Sequence, residues 1–96
     1  SHITGGGIIG NLPRSIPGNL GAEIIKDSWN IPELFNFIQK TGNIKIKEMF
    51  NVFNMGIGMI VVIDKKHKET IQKLIPDAKI IGVVTNYSSG EKIKFK

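Results

Sequence analysis

Between residues 31 and 53 the apolar side chains keep a helical period in two successive bursts, each cut off by a turn-forming residue. Ile31, Leu34, Phe35 and Ile38 fall at i, i+3, i+4 and i+7; Asn30 is placed to cap this helix, Pro32 sits in its first turn, and Gly42 stops it. Ile46, Met49, Phe50 and Phe53 repeat the spacing, with Asn43 placed to cap the second helix. Two short amphipathic helices joined by a few residues each need an apolar surface to lie on. The rest of the chain reads largely as strands that build one.

Leu20, Ala22 and Ile24 alternate with Gly21, Glu23 and Ile25, the pattern of a strand with at least one covered face. Met55–Ile63 ends in a β-branched run after two glycines and predicts a buried strand. Asp64 caps a helix carrying Ile71, Leu74 and Ile75, which Pro76 ends. Lys79–Asn86 predicts another strand and Tyr87–Gly90 a turn. In Glu91–Lys96 the residues Ile93 and Phe95 face one way and Lys92, Lys94 and Lys96 the other, so the last two strands read as a hairpin. Ahead of all this, a glycine turn leads into at most two helical turns, punctuated by Pro13 and Pro17. The fold class is α+β, or layered α/β: a mixed sheet with helices packed on it, a β-α-β-β tail and partial ferredoxin-like character. At 96 residues the chain makes one small domain at most.

The absence of cysteine excludes a disulfide scaffold, thiolate metal sites and a thiol nucleophile. The longest nearly unbroken apolar run, Met55–Ile63, is far short of a bilayer span, and Ser1 opens on a histidine and glycines rather than on a basic-then-apolar signal. The expectation is a soluble, cytoplasmic protein without a membrane partner. The net charge of +5 is unevenly distributed: residues 1–39 carry −1 and residues 40–96 carry +6, all of the excess as lysine. With one arginine in the chain and most aromatics on apolar faces, that pattern favours solvated lysine faces over a nucleic-acid surface.

Gly5, Gly6 and Gly7, with Thr4 before them and Arg14 after, form the sharpest local feature. Glycines let backbone N–H groups close on an anion, and arginine offers a planar fork for phosphate. A tight turn between packed elements accounts for the same residues equally well. Gly5, Gly7 and Gly10 also fit G-x-G-x-x-G, with Asp27 at a ribose-binding distance. A dinucleotide site is nevertheless excluded, because four residues cannot supply the preceding strand and two prolines break the crossover helix. His67 lies among Lys65, Lys66 and Lys68 on a solvated face. His2 adjoins the glycine turn, where an imidazole could meet a phosphate, move a proton or simply brace the loop. Neither histidine has neighbours at metal-ligand spacing. In Phe53–Met59, Gly56 and Gly58 suit a helix C-terminus and a close backbone approach, and Asn54 is either part of that cap or an arm reaching into a cleft. Trp29, Phe35, Phe37 and Phe50 read as core.

His2-Ile-Thr-Gly-Gly-Gly7, Asn11-Leu-Pro-Arg14, Gly21-Ala-Glu23, Trp29-x-x-Pro32, Phe35-x-x-Ile-Gln39, Gly42-Asn43, Glu48-Met49 and Phe53-Asn-Met-Gly-Ile-Gly-Met59 stand in an order and spacing that resemble the aminoimidazole ribonucleotide synthetases, the phosphoribosylformylglycinamidine cyclo-ligases. The likeness covers essentially the whole chain. Relatives of similar fold, such as selenophosphate synthetase, the hydrogenase maturation protein and formylglycinamidine ribonucleotide synthetase, look less similar around the glycine turn.

The resemblance implies an enzyme of purine biosynthesis, a homodimer that uses ATP and Mg²⁺ to close an imidazole ring on formylglycinamidine ribonucleotide. ATP phosphorylates the formamide oxygen, the amidine nitrogen attacks that carbon, and phosphate leaves. It implies substrate or phosphate binding by Thr4, Gly5, Gly6, Gly7, Arg14 and Asn54, with His2 as a catalytic candidate and no metal ligand in this stretch. It also implies that residues 1–96 are the C-terminal part of the synthetase C-terminal domain, with the ATP-binding domain elsewhere in the same polypeptide and the piece inactive alone. A stand-alone phosphate- or nucleotide-binding module and a basic nucleic-acid domain are the alternatives. An unfilled half-domain would leave Ile8 and Ile9 uncovered and favour association through that face.

Overall fold

A computed structural model describes all residues, Ser1–Lys96. Its centre is a three-stranded mixed sheet of β1 (Leu20–Ile24), β2 (Gly82–Asn86) and β3 (Ile93–Phe95), in the order β2-β1-β3. Four helices accompany it: α1 (Gly7–Asn11), α2 (Glu33–Gly42), α3 (Ile46–Val52) and α4 (Lys68–Leu74). The α+β class and the mixed sheet are those expected.

The pairing within the tail differs from the expectation. β2 runs antiparallel to β1, from Leu20↔Asn86 to Ile24↔Gly82, whereas β3 lies parallel to β1 on its other side, from Ala22↔Ile93 to Ile24↔Phe95. The last two strands are therefore not a hairpin. The Tyr87–Gly90 segment, closed by the Tyr87 hydroxyl donating to the Gly90 carbonyl at 3.0 Å, carries the chain past the end of β1. Alternation encodes that a segment is a strand but not which neighbour it takes. Two glycines make the observed choice possible. A Cβ on Gly21 would lie 2.4 Å from the Lys92 carbonyl oxygen, and one on Gly82 would lie 2.2 Å from that of Glu23.

The core forms where β1 meets α1 and α3. Ala22, Ile24 and Ile93 from the sheet join Ile8, Leu12, Met49 and Phe50 from the helical side. Phe50 sits at its middle, edge-on to Trp29 at 6.2 Å and tilted against Phe95 at 4.4 Å between ring centroids. Trp29 and Phe50 are core, as expected. Phe35 is half-buried against Phe53. Phe37, one place off the apolar stripe of α2, is 66% exposed and does not belong to the core.

Helix ends also moved. α2 starts at Glu33 with Pro32 rather than Asn30 before it, and it ends at Gly42, capped by the left-handed Asn43, whose N–H donates to the Gln39 and Lys40 carbonyls. Asn43 thus terminates α2 instead of capping α3, which begins at Ile46 after Lys45 without a side-chain cap. Asp64 caps as expected, its carboxylate accepting from the Lys66 N–H at 3.1 Å at the start of the helical run that becomes α4.

The expected strand over Met55–Ile63 reduces to one antiparallel bridge, His2↔Met59. Ile60 is buried, but Val61, Val62 and Ile63 are exposed, and the hydrogen bonds to Ser1–Ile3 end at Ile60. Ile8 is fully buried and Ile9 half-buried, so the uncovered apolar face is not at these two residues. It lies along Met59–Ile63 and β2.

Candidate functional site

The glycine loop is held by Asn11, the buried polar side chain of the core. Its Nδ2 donates to the Gly7 carbonyl at 2.8 Å and, at 3.4 Å each, to those of Thr4 and Gly5, while its Oδ1 accepts from the Thr4 hydroxyl at 3.2 Å. Gly7 N–H closes the turn on the Thr4 carbonyl at 3.0 Å. The loop's carbonyls are thereby drawn inward, while the N–H groups of Gly5 and Gly6 have no backbone or side-chain acceptor. Free N–H groups on a glycine turn are suited to an anion.

Gly7 has φ +64°, and a Cβ there would stand 2.2 Å from the Phe50 carbonyl oxygen and 2.6 Å from that of Phe53. Only glycine permits α1 to rest on the end of α3 in this way. That contact brings the glycine loop beside Phe53-Asn54, and the Ser1–Ile3 pairing with Gly58–Ile60 ties its other side to the second glycine cluster. The two glycine motifs, far apart in sequence, make one end of the molecule.

The second cluster is braced from β1's side. Trp29 Nε1 donates to the Met55 carbonyl at 3.0 Å, and a Cβ on Gly56, whose φ is +94°, would lie 2.5 Å from Pro32 Cδ. Trp29-x-x-Pro32 and Asn54-Met-Gly56 are therefore two halves of one contact. Met55 itself holds φ +55°, an uncommon conformation for a non-glycine residue.

The expected site residues meet this end of the molecule unequally. Thr4, Gly5, Gly6 and Gly7 form the loop, and His2 stands exposed beside it opposite Met59. Asn54 is half-buried, and its Oδ1 accepts from Gly56 N–H at 2.9 Å, so its amide NH₂ is the end left to meet a ligand. Arg14 is exposed on the 3-10 turn Leu12–Ser15 and forms no ion pair and no hydrogen bond to the loop. Neither of the two concavities of the surface is lined by residues 4–7. The loop is an open rim rather than an enclosed pocket. No group of three or more histidine and carboxylate side chains comes together anywhere in the chain.

Asn11 and Trp29 were not singled out as site residues by their local patterns. The signal for Asn11 is a polar residue in the Ile8, Ile9, Leu12 apolar stretch, where an amide survives only with its hydrogen bonds made.

Residues 1–93 match the family described as AIR synthase related protein, C-terminal domain. Among curated relatives, a phosphoribosylformylglycinamidine cyclo-ligase of Bifidobacterium longum (strain DJO10A) is 45% identical over 100 residues, covering 100% of this chain and 29% of its own length. One of Finegoldia magna is 48% identical over 101 residues, with the same coverage, and one of Bacillus cytotoxicus is 49% identical over 77 residues, covering 80% of this chain and 22% of its own length. The chain thus spans less than a third of the length of the curated relatives it matches. With a mixed α+β sheet, the two glycine motifs joined at one end and a family match over nearly all of its residues, the chain belongs to the AIR synthase related C-terminal domain family.

Proposed function

We propose that these 96 residues are the C-terminal part of an ATP-dependent phosphoribosylformylglycinamidine cyclo-ligase, which converts formylglycinamidine ribonucleotide to aminoimidazole ribonucleotide, ADP and phosphate. The observation that carries this reading is the glycine loop, with the Gly5 and Gly6 N–H groups left free beside Asn54 and His2, in a chain 45–49% identical to proteins bearing that name. The free N–H groups of Gly5 and Gly6 bind phosphate oxygens on a loop that Gly7 and the Thr4–Asn11 hydrogen bond hold in shape, Arg14 adds a bidentate charge, Asn54 orients the substrate by its amide NH₂, and His2 holds or moves a proton.

ATP supplies the phosphoryl group that turns the formamide oxygen into a leaving group. On this reading the metal and most of the nucleotide contacts belong to the remainder of the polypeptide, in keeping with the lack of any cluster of three or more histidine and carboxylate side chains here. By the same reading the segment alone is inactive, and the intact protein, like the family it resembles, works as a cytoplasmic homodimer. No helix here is long and apolar enough to cross a membrane.

Ring closure assayed on the full polypeptide, with ATP and formylglycinamidine ribonucleotide, tests the reading. Arg14→Ala in that protein weakens substrate binding about tenfold to a hundredfold, the value of a charge-assisted hydrogen bond. Unchanged affinity removes Arg14 from the site, and absence of turnover by the parent protein removes the activity. Tight phosphate binding by the 96 residues alone would favour a stand-alone binding module instead.

A further inference from the structure

Ser1–Ile3 and Gly58–Ile60 form a short antiparallel ladder. Ile3 N–H donates to the Gly58 carbonyl at 2.9 Å, Ile60 N–H to that of Ser1 at 2.8 Å, and the Ser1 amino group to that of Ile60 at 2.6 Å. Ser1 and Ile60 are thus a hydrogen-bonded pair, and His2 faces Met59 between the bonded pairs. Bonded pairs recur every second residue, so the next one falls at Val62. In this structure Val61, Val62 and Ile63 make no backbone hydrogen bond. Their exposures of 55%, 41% and 38% are high for β-branched residues, and they line an open groove of about 990 Å³ whose other wall includes Ile75, Ile80 and Val83.

We propose that this groove is a strand-binding site, filled in cis by an extended, apolar segment of the same polypeptide running directly into Ser1. The residue two places ahead of Ser1 pairs with Val62, exchanging N–H and C=O bonds, and shares the core-facing side with Ile3 and Ile60. The inference rests on the reading of these residues as part of a longer cyclo-ligase. Two observations select this occupant. The relatives are more than three times as long as the matched region, which belongs to a C-terminal domain, so they have chain available ahead of it. Lys65, Lys68 and Lys79 line the groove against the single carboxylate of Asp77, so a second copy would bring like charge onto like charge. A segment tethered at Ser1 also has the effective concentration that a free peptide lacks.

Amide hydrogen exchange at residue resolution on the full polypeptide tests the site. The Val62 amide is expected to be slowed to within about tenfold of Ile60's, as in one cooperative ladder. A Val62 amide that exchanges freely while Ile60 stays protected overturns the proposal. So does a native chain that begins at Ser1 and buries these residues in a dimer by sedimentation. Ring-closing activity is measured on the same preparation: activity without Val62 protection sinks the strand site alone, and protection without activity sinks the cyclo-ligase reading while leaving the strand site standing.

Discussion

Asn11 Nδ2 lies 2.8 Å from the Gly7 carbonyl oxygen, and with its longer contacts to the Thr4 and Gly5 carbonyls this buried amide ties the glycine loop to α1. Replacing Asn11 by Ala leaves the Gly7 carbonyl without its side-chain donor and Thr4 Oγ1 without its acceptor. The expected loss is about 1–3 kcal/mol of unfolding free energy, the cost of unsatisfied buried polar groups. Chemical denaturation measures it, and a loss below about 0.5 kcal/mol, within the range of neutral surface changes, would show that the loop is held by other contacts.

Gly7 and Gly10 stand three residues apart in α1 and predict opposite outcomes. Gly7→Ala forces a Cβ toward the Phe50 and Phe53 carbonyls at a positive φ, and costs at least about 2 kcal/mol. At Gly10 nothing lies within reach of a Cβ and φ is not positive, so Gly10→Ala gains up to about 1 kcal/mol from helix propensity. Thermal melts of the two variants separate them by sign.

Trp29→Phe keeps the aromatic packing on Phe50 but removes the donor to the Met55 carbonyl. A loss of about 1–2 kcal/mol is expected, with the turn at Met55 and Gly56 loosened. Faster amide exchange at Ile57, whose N–H bonds to the Asn54 carbonyl inside that turn, is the accompanying readout. A uniform change across the chain would contradict a local role.

Lys47 and Glu91 join α3 to the segment before β3 at 2.9 Å, both exposed. Their hydrogen bond, reinforced by charge attraction, holds Glu91 below its ordinary 4.5 and Lys47 above its ordinary 10.5. The pair's contribution is therefore complete between those values. It is lost as pH falls through the lowered Glu91 value or rises through the raised Lys47 value. Melts of Glu91→Gln against the parent should differ by a small, constant amount across neutral pH, converge at both extremes, and converge at high salt. A difference that grows in acid would reverse the assignment.

Much of this architecture is legible in residue spacing. β1, the helical period over 31–53 and the Asp64 cap follow from local chemistry and are found within a few residues of where that chemistry puts them. What is not legible depends on partners. Ile60–Ile63 reads as a buried strand because β-branched residues encode burial, yet pairing stops at Ile60. β3 reads as the return strand of a hairpin, yet it crosses to the far edge of β1, and the only local trace of that choice is a glycine at position 21. Of the site, the glycine loop is visible as a motif. Its tie to Phe50 and Phe53 is a long-range contact no window contains, and Asn11 is one polar residue in an apolar stretch whose meaning depends on the carbonyls folded around it.

The middle strand of the sheet precedes both of its neighbours by about 60 to 70 residues, Leu20 pairing with Asn86 and Ala22 with Ile93. During synthesis β1 leaves the ribosome with neither edge satisfied and stays so until β2 and β3, about 60 to 70 residues later, have emerged. Helix pairs of local contact form first, and closing the sheet, which must overcome the entropy of the largest loops in the chain, comes last. A nascent polypeptide stalled before β2 would carry an unpaired apolar strand, so the arrival of β2 and β3 governs when the domain ceases to be a client for chaperones.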